Sequence, residues 1–167
     1  MNRLNLGCGQ FKKNEYVNVD WDLSTEPDVC HDLSNLPYPF EDNRFEVIEL
    51  DHVLEHLPNT FDIMHELHRI CAPDGKVIIR VPHFSRSLTH PEHKCGFDFT
   101  FPFYFNPDWK GGYAGIHFEQ EAIRMRWFSQ PYLKRKVLKG TTFHVRICIG
   151  KLLVFFASLG PVVFSRI

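Results

Sequence analysis

The sequence predicts an α/β fold built on a doubly wound, mostly parallel sheet. Three observations carry that prediction. A short apolar strand, Arg3–Leu6, runs into the turn Gly7-Cys8-Gly9. A second strand, Tyr16-Val17-Asn18-Val19-Asp20, then ends on a carboxylate. Two more runs rich in β-formers, 45–50 and 76–81, follow at intervals filled by helical or loop sequence. Strands alternating with such connections wind a parallel sheet.

The elements follow in chain order. After the second strand, residues 26–31 hold a short third strand beyond Pro27, and 33–43, with Pro37 and Pro39, reads as a loop. Phe45-Glu46-Val47-Ile48-Glu49-Leu50 is the fourth strand. Asn59 or Thr60 caps a helix running to about Cys71, with Ile63, Met64, Leu67, Ile70 and Cys71 on one helical face. Pro73-Asp74-Gly75 reads as a turn, and 76–81 as a fifth strand closed by Pro82. Residues 83–115 form a long aromatic segment, including Phe97, Phe99, Phe101, Phe103, Tyr104 and Phe105. Loops of this length are commonly functional, and these aromatics require burial, so the segment is expected to fold back over the sheet edge. Residues 116–128 read equally as strand or helix. Residues 147–164 are apolar but broken by Lys151 and Gly160-Pro161, which favours a buried helix plus a final strand, with an interfacial helix second. The chain reads as one domain, with a core over 1–82 and a Phe/His-rich cover and C-terminal part over 83–167.

Composition narrows the class. The 167 residues are 44% hydrophobic and 23% charged, ordinary for a soluble globular protein, and the start lacks the apolar run of a signal peptide. The five cysteines are scattered, with no Cys-x-x-Cys, which suggests reduced thiols and a cytoplasmic protein. Charge is uneven. Residues 1–120 carry 10 Lys/Arg and 19 Asp/Glu, whereas 121–167 carry 9 Lys/Arg and only Glu121. The basic tail, with Lys134, Arg135, Lys136 and Lys139, is either a solvated face or a contact for an anionic partner or peripheral membrane surface. A pI near 6.8 and the lack of a nucleic-acid motif argue against nucleic acid as that partner.

The opening strand–turn–strand resembles the nucleoside edge of an α/β sheet. Glycines admit a close ligand, and the carboxylate accepts hydrogen bonds from ribose hydroxyls. Gly7 and Asp20 are only 13 positions apart, where a dinucleotide fingerprint has about 20.

Four blocks in register extend this reading: Leu4-Asn5-Leu6-Gly7-Cys8-Gly9; Val19-Asp20; the run from Asp32 through Leu36-Pro37-Tyr38-Pro39-Phe40 to Val47-Ile48; and Leu54-Glu55-His56-Leu57 with Leu67-His68-Arg69-Ile70-Cys71-Ala72-Pro73-Asp74-Gly75-Lys76. Together they resemble a small class I S-adenosylmethionine-dependent methyltransferase of the type 11 group. The resemblance covers roughly half the chain and implies a Rossmann-like core, S-adenosyl-L-methionine as cofactor, and methyl transfer to a hydroxyl or amine of a small molecule or glycan. His83-Phe84-Ser85 and Thr89-His90-Pro91-Glu92-His93 resemble more loosely a bacterial and archaeal subgroup associated with cell-surface glycans. A non-catalytic methyltransferase-like binding or scaffolding domain is the rival. A nicotinamide-dependent enzyme is disfavoured by the missing third glycine and the Leu-Glu-His-Leu block.

The chain departs from the family pattern in one place. Residues 10–15 reach only about 9 Å even as helix, too short for the usual sheet-covering first helix. The thinner flank must be covered by the Phe-rich region, by the tail or by a partner subunit such as a second copy.

By family position, Leu6, Gly7, Cys8 and Gly9 hold the cofactor's amino-acid end, Asp20 its ribose, and Trp21, Asp32 and Leu33 its adenine; Asp51 completes the set. Each has a plainer reading as turn, strand end or packing, and Cys8 reads as packing rather than nucleophile. The methyl on a sulfonium is already activated, so alignment supplies much of the catalysis. A base is required only for an acceptor that must lose a proton. His52 and His83 are the candidates, each balanced against a structural role, while Glu55 and His56 read as helix packing and capping. His90, Glu92, His93 and Cys95 are zinc-ligand types, but no matching pair stands elsewhere in sequence, so no metal is expected and a loop clamp or substrate contact is preferred.

Overall fold

The computed structural model describes residues 1–126 and 158–166. The strands are β1 (Arg3–Leu6), β2 (Val17–Asp20), β3 (Val29–Cys30), β4 (Phe45–Asp51), β5 (Cys71–Arg80), β6 (Phe118–Arg126) and β7 (Ser158–Arg166). They form one seven-stranded sheet in the order β3-β2-β1-β4-β5-β7-β6. The first five are mutually parallel, and β7 runs antiparallel to both its neighbours. The order reverses direction between β1 and β4, and such a switch opens a crevice at the strands' carboxyl ends.

Helix α1 (Thr60–Ile70) forms between β4 and β5 because its apolar residues recur at helical spacing. Asp62 lies in its first turn and His68 and Arg69 in its last, matching the helix dipole. Asn59 is the N-cap, but its side chain makes no cap bond; its carbonyl instead accepts from the Ile63 amide. Ile63, Met64, Leu67 and Ile70 are buried against Leu4, Leu6, Ile48, Leu50, Val77 and Ile79. Each such side chain contributes about 1.5–3 kcal/mol on burial.

Two sequence expectations are corrected. Pro73-Asp74-Gly75 does not end one element and begin another, because it lies inside β5. Phe45 pairs with Cys71 and Val47 with Lys76, so the intervening residues bulge out, and Asp74 takes φ +61° there. The Phe-rich segment does not cover the thin flank. Its 3-10 turn Phe101–Phe105 packs on the α1 side: Phe105 lies 6.1 Å from Phe61, and Phe118 5.2 Å from His68, in edge contacts. The His65 ring N–H donates to the Ala114 carbonyl at 2.7 Å and pins the segment's far end. Within the stretch 116–128, undecided in sequence, Phe118–Arg126 forms β6.

The flank beneath the missing first helix is closed differently. Strand pairing places Asn5, Asn18, Glu49 and Arg80 on the face opposite Leu4, Leu6, Val19, Ile48 and Leu50. A parallel sheet covered by helices reads as continuous apolar runs; this face is polar. Asn5 donates to Asn18 at 3.0 Å and to the Phe11 carbonyl at 3.2 Å, and the Lys13 amide donates to Asn18 Oδ1 at 2.8 Å. Glu49 accepts from Lys13, Tyr16 and Arg80 at 2.9, 2.7 and 2.8 Å. A hydrogen-bonded loop therefore does here what an apolar helix does elsewhere. The β1–β2 connection crosses this polar face and α1 the apolar one, so the sheet is wound on both faces.

The β6–β7 pairing shifts register between Ile123 and Met125, opposite Gly160-Pro161, where a proline is tolerated in a strand. The expected helix within 147–164 and the basic residues Lys134, Arg135, Lys136 and Lys139 lie outside the described residues. Among the described residues, no helix is long and apolar enough to cross a membrane, and none of Cys8, Cys30, Cys71 and Cys95 is in a disulfide.

Candidate functional site

The glycine turn sits at the carboxyl end of β1, at the switch point. Gly7 and Gly9 have φ of +65° and +49°, the left-handed region where other residues are strained. The two differ in surroundings. A side chain at Gly7 would collide with Val53, whereas one at Gly9 would meet no protein atom within 4 Å. Gly7 is thus required by packing between β1 and the segment after β4, and Gly9 faces open space.

Asp20 binds the turn to β2. Its Oδ2 accepts the Gly9 amide at 2.8 Å and its Oδ1 the Asp22 amide at 3.0 Å. It is 7% exposed. A carboxylate offers about four lone-pair sites, so two remain for other donors. Beside it, Trp21 is 73% exposed, a broad aromatic face that nothing in the core occupies. Leu6 and Cys8 are buried at the same strand end. Burial and the Asp20 charge push the Cys8 thiol upward, against a thiolate role.

The other sequence candidates separate. Asp32 folds on itself, accepting the Ser34 amide at 2.9 Å on an exposed loop. Leu33 puts its side chain in the core, and its carbonyl accepts from Tyr38 Oη at 3.1 Å. Asp51 is exposed at the end of β4, 3.7 Å from Arg80. His52 follows with φ +56°, and its Nδ1 is 3.1 Å from Glu55 Oε1. That hydrogen bond raises the His52 pKa against the opposing effect of burial. His83 is 1% exposed, and its Nδ1 accepts from the Ser85 amide at the start of α2 (Phe84–Ser87). Burial lowers its pKa. His52 is therefore exposed beyond β4, whereas His83 is buried and caps α2.

Two features escaped the sequence reading. Val53, 46 positions from Gly7, closes the packing under the turn, and no local pattern marks it. Glu55, His56 and His93 converge, with ligand atoms within 4.8 Å of one another.

This architecture is an α/β domain with a crevice at the β1/β4 switch point. Residues 4–79 match the family described as "Methyltransferase domain". Two crystal structures align over nearly the whole chain. One is a SAM-dependent methyltransferase from Thermotoga maritima, with 13% identity, 99% of this chain and 82% of that one covered, and a TM-score of 0.67. The other is a SAM-dependent methyltransferase from Archaeoglobus fulgidus, with 14% identity, 98% and 85% coverage, and a TM-score of 0.64. These likenesses show the fold. A methyltransferase from Mesorhizobium loti aligns over 49% of this chain and 46% of its own length, at 16% identity and a TM-score of 0.42, so the chain spans under half of that relative. No curated protein matches the chain. Over the matched segment, the chain is similar to a methyltransferase domain.

Proposed function

We propose that the chain binds S-adenosylmethionine at the carboxyl ends of β1 and β2 and transfers its methyl group to a hydroxyl or amine of a small-molecule or glycan acceptor. One observation carries the reading. Asp20, with lone pairs to spare, is held between an open Gly9 and an exposed Trp21. That donor set suits a nucleoside: a carboxylate for ribose hydroxyls, an aromatic face of purine size, and backbone free of side chain at the turn.

The bound cofactor supplies a methyl group activated by its sulfonium. The chain's own residues then have three tasks. Asp20 orients the ribose, and Trp21 shields the purine from water. Asp51, at the end of β4, completes the cofactor contacts, and His52, the next residue, serves the acceptor. His52 takes the proton from a hydroxyl acceptor; a neutral amine does not require this before transfer.

Calorimetry with S-adenosylmethionine on wild type, Asp20→Ala and Trp21→Ala tests the reading. Binding by wild type, weakened about tenfold or more in each variant, is expected. No binding by folded wild type overturns the proposal, and binding unaffected by Asp20→Ala overturns the site. Cofactor binding without transfer of labelled methyl to a panel of hydroxyl and amine acceptors selects the non-catalytic rival.

A further inference from the structure

Glu55 poses an unsolved problem in the fold. It is 0% exposed, at the centre of the 3-10 turn Leu54–His56. Its Oε1 receives His52 Nδ1 at 3.1 Å, but Oε2 is buried with no hydrogen-bond partner. A buried carboxylate oxygen left unpaired is costly, so the site is built for something that oxygen can bind.

The surroundings indicate what that is. The ligand atoms of Glu55, His56 and His93 lie within 4.8 Å of one another. The segment carrying His93 is tied to this turn by the Lys94 amide, which donates to the Glu55 carbonyl at 2.8 Å. His93 Nδ1 is 2.9 Å from the Ser87 carbonyl. A carbonyl only accepts, so Nδ1 carries the proton and Nε2 is the ring's lone-pair nitrogen. Ser87, fully buried, donates in turn to the Cys95 carbonyl at 2.9 Å. This is how an outer hydrogen bond sets the tautomer of a metal-binding histidine. His90 stacks on His93 at 4.4 Å, and the His56 ring meets His93 edge-on at 4.6 Å.

From this geometry we propose that Glu55, His56 and His93 form a binding site for a divalent transition-metal ion. Two imidazoles and a carboxylate favour zinc-like or iron-like ions over magnesium. Metal–ligand bonds of about 2.0–2.2 Å draw the three ligand atoms together by about 1 Å, which the half-buried rings of His56 and His93 accommodate by rotation. Three protein ligands leave a coordination position for water or an acceptor oxygen. The site adjoins the glycine turn through Val53, which packs on Gly7 two residues before Glu55. No metal was expected from the sequence because no matching pair for the 90–95 run stands elsewhere along it; His56 and His93 are 37 positions apart, and the fold brings them together.

The test uses chelator-treated full-length chain without cofactor, so that failure of the methyltransferase reading does not affect it. Zinc titration by calorimetry and the visible spectrum of added cobalt are measured on wild type, Glu55→Gln, His56→Ala and His93→Ala, with magnesium as a control ion. One zinc per chain is expected, with an ordered cobalt spectrum, at least a 100-fold weaker affinity in each variant and no comparable magnesium binding. Circular dichroism identifies any variant that fails to fold. If all three fail, the wild-type stoichiometry and a zinc-dependent rise in Tm decide. No zinc binding by folded wild type, or equal binding by the folded variants, overturns the proposal.

Discussion

The Gly9 amide donates to Asp20 Oδ2 at 2.8 Å, so the end of β2 holds the turn that follows β1. The same carboxylate takes the Asp22 amide, and a single side chain therefore sets the shape of the ligand edge. Replacing Asp20 with Ala removes charge-assisted hydrogen bonds each worth about 1.5–3 kcal/mol. Urea denaturation should show a loss of that order, and cofactor affinity should fall with it. Asp20→Asn, which keeps one acceptor oxygen, should recover part of the stability.

The two glycines should respond differently to alanine. Both require a left-handed backbone, at a cost of about 1–2 kcal/mol. Gly7→Ala also collides with Val53, adding an overpacking penalty of about 1–3 kcal/mol. In a Val53→Ala background, the extra penalty at Gly7 should vanish, while Gly9→Ala should be unchanged by that background. A double-mutant cycle by thermal denaturation measures the coupling.

Glu49 makes the polar face sensitive to acid. Burial alone would raise its pKa, but hydrogen bonds from Arg80, Tyr16 and Lys13 outweigh it and bring the value down from 4.5 to about 2. A depressed folded-state value stabilises the protein above the unfolded pKa and is lost as pH falls from about 4.5 towards 2. The contribution at neutral pH is about 3 kcal/mol. Stability measured from pH 6 to pH 2 should decline across that window, and Glu49→Gln should flatten the decline while lowering the neutral-pH value.

Two large aromatic residues should behave in opposite ways. Phe105 is fully buried between Phe61, Phe101 and Phe118, and Phe105→Ala should cost about 3–5 kcal/mol. Trp21 is mostly exposed, and Trp21→Ala should change stability by less than about 0.5 kcal/mol while weakening cofactor binding. A destabilisation by Trp21→Ala equal to that of Phe105→Ala would show Trp21 to be a packing residue.

Local pattern carried much of the fold. The alternation in Arg3–Leu6 and Val17–Asp20, and the helical spacing of Ile63, Met64, Leu67 and Ile70, identified these elements because a strand's period of two and a helix's period of 3.6 are written in neighbouring residues. The turn read at Pro73-Asp74-Gly75 failed because a bulge and a turn share the same residues, and only pairing with β4 distinguishes them.

The order of the parallel strands and the glycine turn with its acidic partner were legible along the chain. What covers the thin flank was not. Asn5, Asn18 and Glu49 look like ordinary polar residues in strands until pairing stacks them on one face under Lys13 and Tyr16. The packing of Val53 on Gly7 and the meeting of Glu55 and His56 with His93 likewise belong to the tertiary structure alone. Periodicity is a code between near neighbours, whereas residues 37 to 46 positions apart are brought together by crossovers whose geometry no short window of sequence contains.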